Sequence, residues 1–301
     1  MRTRVGRLPG PALVASVPIA ARGMSEDGEM ADVGVRKLSE DIIGKLPVWG
    51  DECVRELQRT LLSDSSPFPC TFAVAGTKRN SLRFGFVESV DDERAWQPLG
   101  GILTEYLAGY RELGRETSLI VFFRPDDRSR TMAEYNERFW AVLQYLHDTD
   151  TSPWPAEVPH DTDDPWWEFS FGGTPIFVVC NTPAHVLRRS RHSPVFFITF
   201  QPRWVFEGLG AHTPPGASAR RTIRRRLSRY DAVEASPELG SYGDPDNREW
   251  RQYFLPDTPD EPWAKDRRCP FRDRTAGEVT AGQAVSPEST SRLTPKIVGE
   301  S

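Results

Sequence analysis

The sequence contains no run of eighteen apolar residues, so no membrane span is expected. It has only four cysteines, Cys53, Cys70, Cys180 and Cys269, with no CxxC spacing among them. That scarcity excludes a disulfide-stapled scaffold and fits a reducing, cytoplasmic compartment. No G-x-G-x-x-G stretch is present, which removes a built-in dinucleotide site; "FGGTP" reads as a turn. HExxH and similar paired-ligand spacings are missing as well, which argues against a zinc hydrolase. An excess of positive charge is also lacking, since the formal net charge is −5. Nucleic-acid binders are normally basic. The one arginine-rich run, "ARRTIRRRLSR", keeps an apolar stripe through Ile223 and Leu227 and reads as a packed helix with a solvated outer face.

What the chain does have is length and aromatic bulk. Its 301 residues allow one large domain or two small ones, and nine Trp and sixteen Phe promise an aromatic core or pocket. The opening "MRTRVGRLPGPALVASVPIAARG" is basic and briefly apolar, as a signal peptide is. Pro9, Pro11 and Pro18 interrupt it, and Arg22 stands where small residues should mark cleavage. A disordered extension over 1–36, or a translation start at Met24 or Met30, is the better reading.

The middle of the chain is periodic. A helix is expected through "SEDIIGKLPVWGDECVRELQRTLLS", broken near Pro47. "FPCTFAVAG" and "SLRFGFVES" read as strands. "WQPLGGILTEYLAGYREL" and "MAEYNERFWAVLQYLHD" space their apolar residues for helices, with the continuous strand "SLIVFFR" between them. "WWEFSF" and "PIFVVC" suggest a hairpin around Gly172 and Gly173, followed by the strand "VFFITFQ" and the helix "SARRTIRRRLSRY". Beyond residue 257 the composition turns polar and proline-rich, and 258–301 reads as a disordered tail. Several strands adjacent in sequence point to one α+β domain over 37–257, a largely antiparallel sheet flanked by helices.

"CNTPAHVLRRSRHSPVFF", residues 180–197, follows an apolar strand directly. Thr182 can cap a helix and Pro183 suits its first turn. His185, Arg188, Arg189 and His192 would then share one face at offsets of three, four and seven. Such a face suits a metal-centred cofactor with an anionic rim. It also suits an ordinary basic helix with one satisfied histidine, and spacing does not choose between the two.

"PFPCTFAV", "SLIVFFR", "PWPAEVPHDTDDPWWEFSFGG", "CNTPAHVLRRSRHSPVFFITFQPRWVFE" and "EWRQYFLPD" together resemble the YqcI/YcgG family of bacterial proteins over roughly residues 46–257. The resemblance implies haem b, since the family includes haem-dependent N-hydroxylases of guanidino compounds in specialised pathways such as D-cycloserine and guanitoxin biosynthesis. On that basis the chain is expected to hydroxylate a nitrogen of L-arginine or a related guanidine, using O2 with an external electron donor, or peroxide. A haem sensor or carrier without turnover is the alternative.

Within that frame His185 is the expected axial ligand, with Cys180 and Cys70 as rivals. A neutral imidazole or a thiolate can each hold haem iron. Arg188, Arg191 and Arg203 are the expected partners of the propionates. His192 is expected as a distal or second ligand, and His160 lies in a loop that can reach the site. His147 is expected to be structural at a helix end, and His212 carries no signal. A guanidinium substrate needs a carboxylate, and Glu168, among the aromatics of "DPWWEFSF", is the expected recognition residue. "EWRQYFLP" is expected to pack onto the core or to close over the pocket.

Overall fold

In the computed structural model, residues 40–210, 213–265 and 268–274 are described. The expected N-terminal extension, His212 and the end of the expected tail lie outside them. A five-stranded sheet runs in the order β1-β2-β5-β4-β3. The strands are β1 (Leu82–Val87), β2 (Ser118–Phe123), β3 (Ser170–Phe171), β4 (Thr174–Asn181) and β5 (Phe197–Pro202). Only β1 and β2 are parallel; the pairs β2–β5, β5–β4 and β4–β3 are antiparallel. With its helices this is the expected α+β arrangement.

β2 is buried along its whole length, which accounts for its unbroken apolar run. On one face of the sheet the main core packs α3 (Pro98–Gly109) and α4 (Met132–Thr149) against β2, β4 and β5. A smaller cluster on the other face joins α1 (Gly50–Leu61) to Phe84, Phe122 and Phe197. α4 starts where its sequence says it should. Thr131 accepts the Glu134 amide, and the Glu134 carboxylate accepts the Thr131 amide at 2.8 Å. Such a capping box contributes about 1 kcal/mol. The β3–β4 hairpin turns through Gly172 and Gly173, at φ of +60° and +66°. Positive φ at both central residues is the demand of a two-residue hairpin turn, and glycine meets it without strain.

Three expectations are corrected. "TFAVAGTK" forms helix α2 (Thr71–Lys78), not a strand. Its apolar run is too short for periodicity to decide, and its small residues let the backbone approach a neighbour: a Cβ on Gly76 would sit 2.4 Å from the Glu116 carbonyl oxygen. The segment before Pro47 is extended, not helical. Ile42 bridges Phe84 in parallel, the Ile43 amide donates to the Phe84 carbonyl and the Phe84 amide donates to Asp41, each at 2.9 Å. The third is the helix expected after Thr182, which does not form; a three-residue 3-10 turn at Arg189–Arg191 is all that appears.

Helix α5 (Pro214–Tyr230) matches its expectation, with Leu227 buried and its arginines mostly outside. The four-residue α6 (Trp250–Tyr253) seats Trp250 and Tyr253 in the main core, so "EWRQYFLP" packs inward. Packed structure continues past residue 257, where Phe271 is buried against His147 and Trp167.

Candidate functional site

Two polar regions meet at α6. The first is the loop 182–192 at the exit of β4. Its ends are tied by the Thr182 amide to the Arg191 carbonyl at 3.1 Å and the Ser193 amide to the Thr182 carbonyl at 3.2 Å. Asp257 replaces the expected helix. Its carboxylate accepts the amides of Val186, Leu187 and Arg188, each at 2.9 Å. Burial works against that charge, but the three amides and nearby His185 hold its pKa below the usual carboxylate value.

His185 lies inside this loop with no exposed surface. Thr182 Oγ1 accepts the Ala184 amide at 3.1 Å and gives its own proton to His185 Nδ1 at 2.9 Å, because the one proton of the neutral ring is needed on Nε2. His185 Nε2–H donates to the Leu255 carbonyl at 2.9 Å. Both ring nitrogens are therefore spent on the fold, and burial pulls the pKa down to about 4, fixing a neutral imidazole. Arg188 is also fully used. Nε donates to Pro256 O at 2.8 Å, Nη1 to Glu234 O at 3.3 Å and Nη2 to Asp257 O at 3.4 Å, with Asp231 3.9 Å away.

Arg191 differs. It is about nine-tenths buried, Nη2 donates to the Gln252 carbonyl at 3.2 Å, and Nη1 is buried without a hydrogen-bond partner. His192, the next residue, is exposed and donates Nδ1–H to the His185 carbonyl at 2.7 Å.

The second region is acidic and centres on Arg203, the residue that follows β5. Its Nη2 donates to Glu168 Oε2, and Glu249 Oε2 lies 3.7 Å from the same nitrogen. Its guanidinium also lies over the Tyr242 ring. Glu168 and Glu249 are both buried. Glu249 Oε2, Arg203 Nε and Trp167 Nε1 are buried without hydrogen-bond partners. Burial raises the Glu249 pKa to about 7 against the pull of Arg203, and lowers that of Arg203 against the pull of Glu249. Toward solvent, Tyr242 donates its hydroxyl proton to the Trp166 carbonyl at 2.7 Å and meets the half-exposed Trp166 ring edge-on. Toward the interior, Tyr253 touches Phe177, Phe177 touches Phe206, and Phe206 touches Phe72, forming an aromatic line along the β4 side.

The expected residues thus separate into two groups. Glu168 and Arg203 come together, but as partners of one another. His185, Arg188 and Arg191 come together without sharing a face. Glu249 and Tyr242 were not singled out; the glutamate preceding the aromatics of "EWRQYFLP" was the available signal. Cys180 is fully buried in the main core, and burial raises its pKa well above the ordinary thiol value. Cys70 precedes α2, its thiol likewise raised by burial. His160 pairs with Asp273 beside Trp154. His147 is buried at the end of α4, in the structural place the sequence suggested; its Nε2 accepts the Arg274 amide and burial lowers its pKa.

These placements test the haem that the resemblance implies. An axial imidazole needs a free nitrogen facing an open space. His185 has neither free nitrogen nor exposed surface, and Arg188 and Arg203 have partners within the protein. Arg191 has a spare donor, but it is buried while the adjoining His192 faces solvent, so the two do not form a common seat. The assigned set does not fit a haem as arranged. Among the described residues, no group of three or more His, Cys, Asp or Glu is disposed to hold a metal ion. A cavity of about 30 Å³ beside Arg130 and Tyr135, and an open groove of about 480 Å³ beside Asp150 and Gly172, are lined by none of the six expected site residues.

Comparison with known proteins gives a consistent picture. The model of the YqcI/YcgG family matches residues 57–272. "Uncharacterized protein YcgG" of Bacillus subtilis (strain 168) is 40% identical over 77% of this chain and 91% of its own length. "Uncharacterized protein YqcI" of the same organism is 36% identical over 80% and 95%. "Putative N(omega)-hydroxy-L-arginine synthase DcsA" of Streptomyces lavendulae is 32% identical over 84% and 94%. No solved structure matches.

Proposed function

The chain belongs to the YqcI/YcgG family, and from that premise we propose that it is an enzyme that hydroxylates a nitrogen of the guanidino group of L-arginine or a related guanidine. The observation that carries the reading is the acidic region. Two buried carboxylates converge on one guanidinium over an aromatic ring, and one oxygen, Glu249 Oε2, is still without a hydrogen-bond partner. A planar cation with several N–H donors is the ligand such a pair recognises. The name of the Streptomyces relative supports the same substrate class.

In this reading Glu249 receives two N–H groups of the substrate, Tyr242 supplies an aromatic face, and Arg203 stays paired with Glu168 beside them. A carboxyl near pKa 7 also suits accepting the proton that a guanidinium nitrogen must lose before it bonds to oxygen. Haem, when bound, supplies the activation of oxygen in this reading; its ligand is left unassigned because His185 does not fit. Trp166 and Tyr242 form the solvent-side cover.

The test is direct. Haem-reconstituted protein is given L-arginine with peroxide or with a surrogate reductase, and the product is weighed by mass spectrometry. The expected product is one oxygen heavier, and Glu249→Gln lowers kcat/KM about 100-fold while the thermal melt stays sharp. Absence of product from every guanidine tried, with haem bound and oxidant consumed, would sink the reading.

A further inference from the structure

Arg191 is the polar residue that the guanidine reading leaves unexplained. It sits in the 3-10 turn closing the loop 182–192, with 9% of its surface exposed. Burial, and then the neighbouring Arg188 cation, bring its pKa down to about 10. The surrounding carboxylates serve other groups. Asp257 accepts three amides, and Asp231 accepts the Ser190 amide at 2.7 Å and the Ser190 hydroxyl at 2.9 Å. Among the described residues no carboxylate makes an ion pair with Arg191, and Nη1 has no acceptor. A guanidinium stripped of water is costly to the fold unless an anion completes it.

We propose that Arg191 is the seat of a ligand carboxylate. The geometry gives this seat a relation to the acidic region. Arg191 Nη2 is held by the carbonyl of Gln252, the third residue of α6, and Glu249 immediately precedes that helix. A ligand with a guanidinium at one end and a carboxylate at the other meets complementary groups anchored one short turn apart. An α-amino acid bearing a guanidine has that form. In this respect the inference rests on the guanidine reading and narrows it, favouring arginine over guanidines that lack an acid group. A haem propionate offers the same chemistry from another source.

Calorimetric titration of the full chain separates the sources. L-Arginine and agmatine share the guanidine and differ in the carboxylate. Arginine is expected to bind wild type at least about tenfold more tightly, the scale of one charge-assisted pair. In Arg191→Gln that preference should fall to near one, with agmatine affinity unchanged; Arg191→Lys should restore part of it. Glu249→Gln should weaken both ligands and keep their ratio. Hemin and its dimethyl ester form the second arm, read from the visible band. Discrimination against the ester in wild type, lost in Arg191→Gln, assigns the seat to a propionate.

Unchanged ratios in both arms overturn the carboxylate seat. Should neither guanidine bind wild type, the guanidine reading falls and the hemin arm alone decides for or against Arg191. If Arg191→Gln melts early, Arg191→Lys is read in its place by the same ratios: its discrimination must drop at least about threefold, and full retention overturns the seat.

Discussion

The loop after β4 and the cluster around Arg203 are both rich in charge, yet they differ in how completely the protein uses that charge. In the loop, His185, Arg188 and Asp257 spend their hydrogen bonds on backbone atoms and on Thr182. Around Arg203, its own Nε and Glu249 Oε2 are buried without hydrogen-bond partners. Buried polar groups are normally satisfied, so exceptions need a reason. Arg191 apart, the loop is scaffold that fixes the end of a strand. The cluster is unfinished in a way that a ligand would complete.

The sharpest way to break this comparison is to remove the loop's organiser. Asp257→Ala strips the acceptor from three amides and is expected to cost about 3 kcal/mol, read as a lowered melting temperature. Because the folded pKa of Asp257 is depressed, its contribution is present above the unfolded value near 4 and is lost as pH falls through the lower folded value. Acid unfolding of wild type should therefore steepen below about pH 4, and the variant should lack that component.

A smaller effect is expected from His185→Ala, about 2 kcal/mol, from the cavity and the orphaned Leu255 carbonyl. With the folded pKa held near 4, the unfolded chain binds the extra proton first. The stability due to a neutral His185 is thus complete above about pH 6.5 and lost as pH falls from there toward about 4. A pH series of melts on wild type and variant checks this. A haem band that vanished in His185→Ala while the melt stayed unchanged would contradict the scaffold assignment.

Least change in stability is expected for Glu249→Gln, and its sign is opposite. A carboxyl whose folded pKa is raised to about 7 favours the fold while protonated and penalises it as pH rises from about 4.3 through 7. The variant should equal or exceed wild type in melting temperature at pH 8 and lose that slope. Guanidine affinity in wild type should strengthen over the upper part of the same range, as the carboxylate forms. A variant less stable at pH 8 than at pH 5, by the same margin as wild type, would erase the contrast between the two regions.

Much of the scaffold was legible from residue order. The run "SLIVFFR" announced a continuous strand, the Gly172–Gly173 pair announced a hairpin, and the apolar spacing of "MAEYNERFWAVLQYLHD" announced α4. The misreadings at the site have one cause. Helical spacing after Thr182 was real as a pattern, but a carboxylate about seventy positions away took the amides that a helix would have used. In the same way Glu168 and Arg203 were each visible as charged residues among aromatics, while their pairing across β3 and β5 was not. Glu249 stayed hidden because what distinguishes it is burial without a hydrogen-bond partner, which no local pattern carries.

The pairing of Asp41 and Ile43 with Phe84 has a consequence for how copies of this protein behave when crowded. Phe84 lies midway along β1, one of the two edge strands of the sheet, and its outward amide and carbonyl are both occupied by the chain's own backbone. A foreign strand seeking to extend the sheet there finds no free template. Three residues on an unassuming approach segment thereby act as a guard against intermolecular β-stacking, and trimming them would leave an adhesive margin.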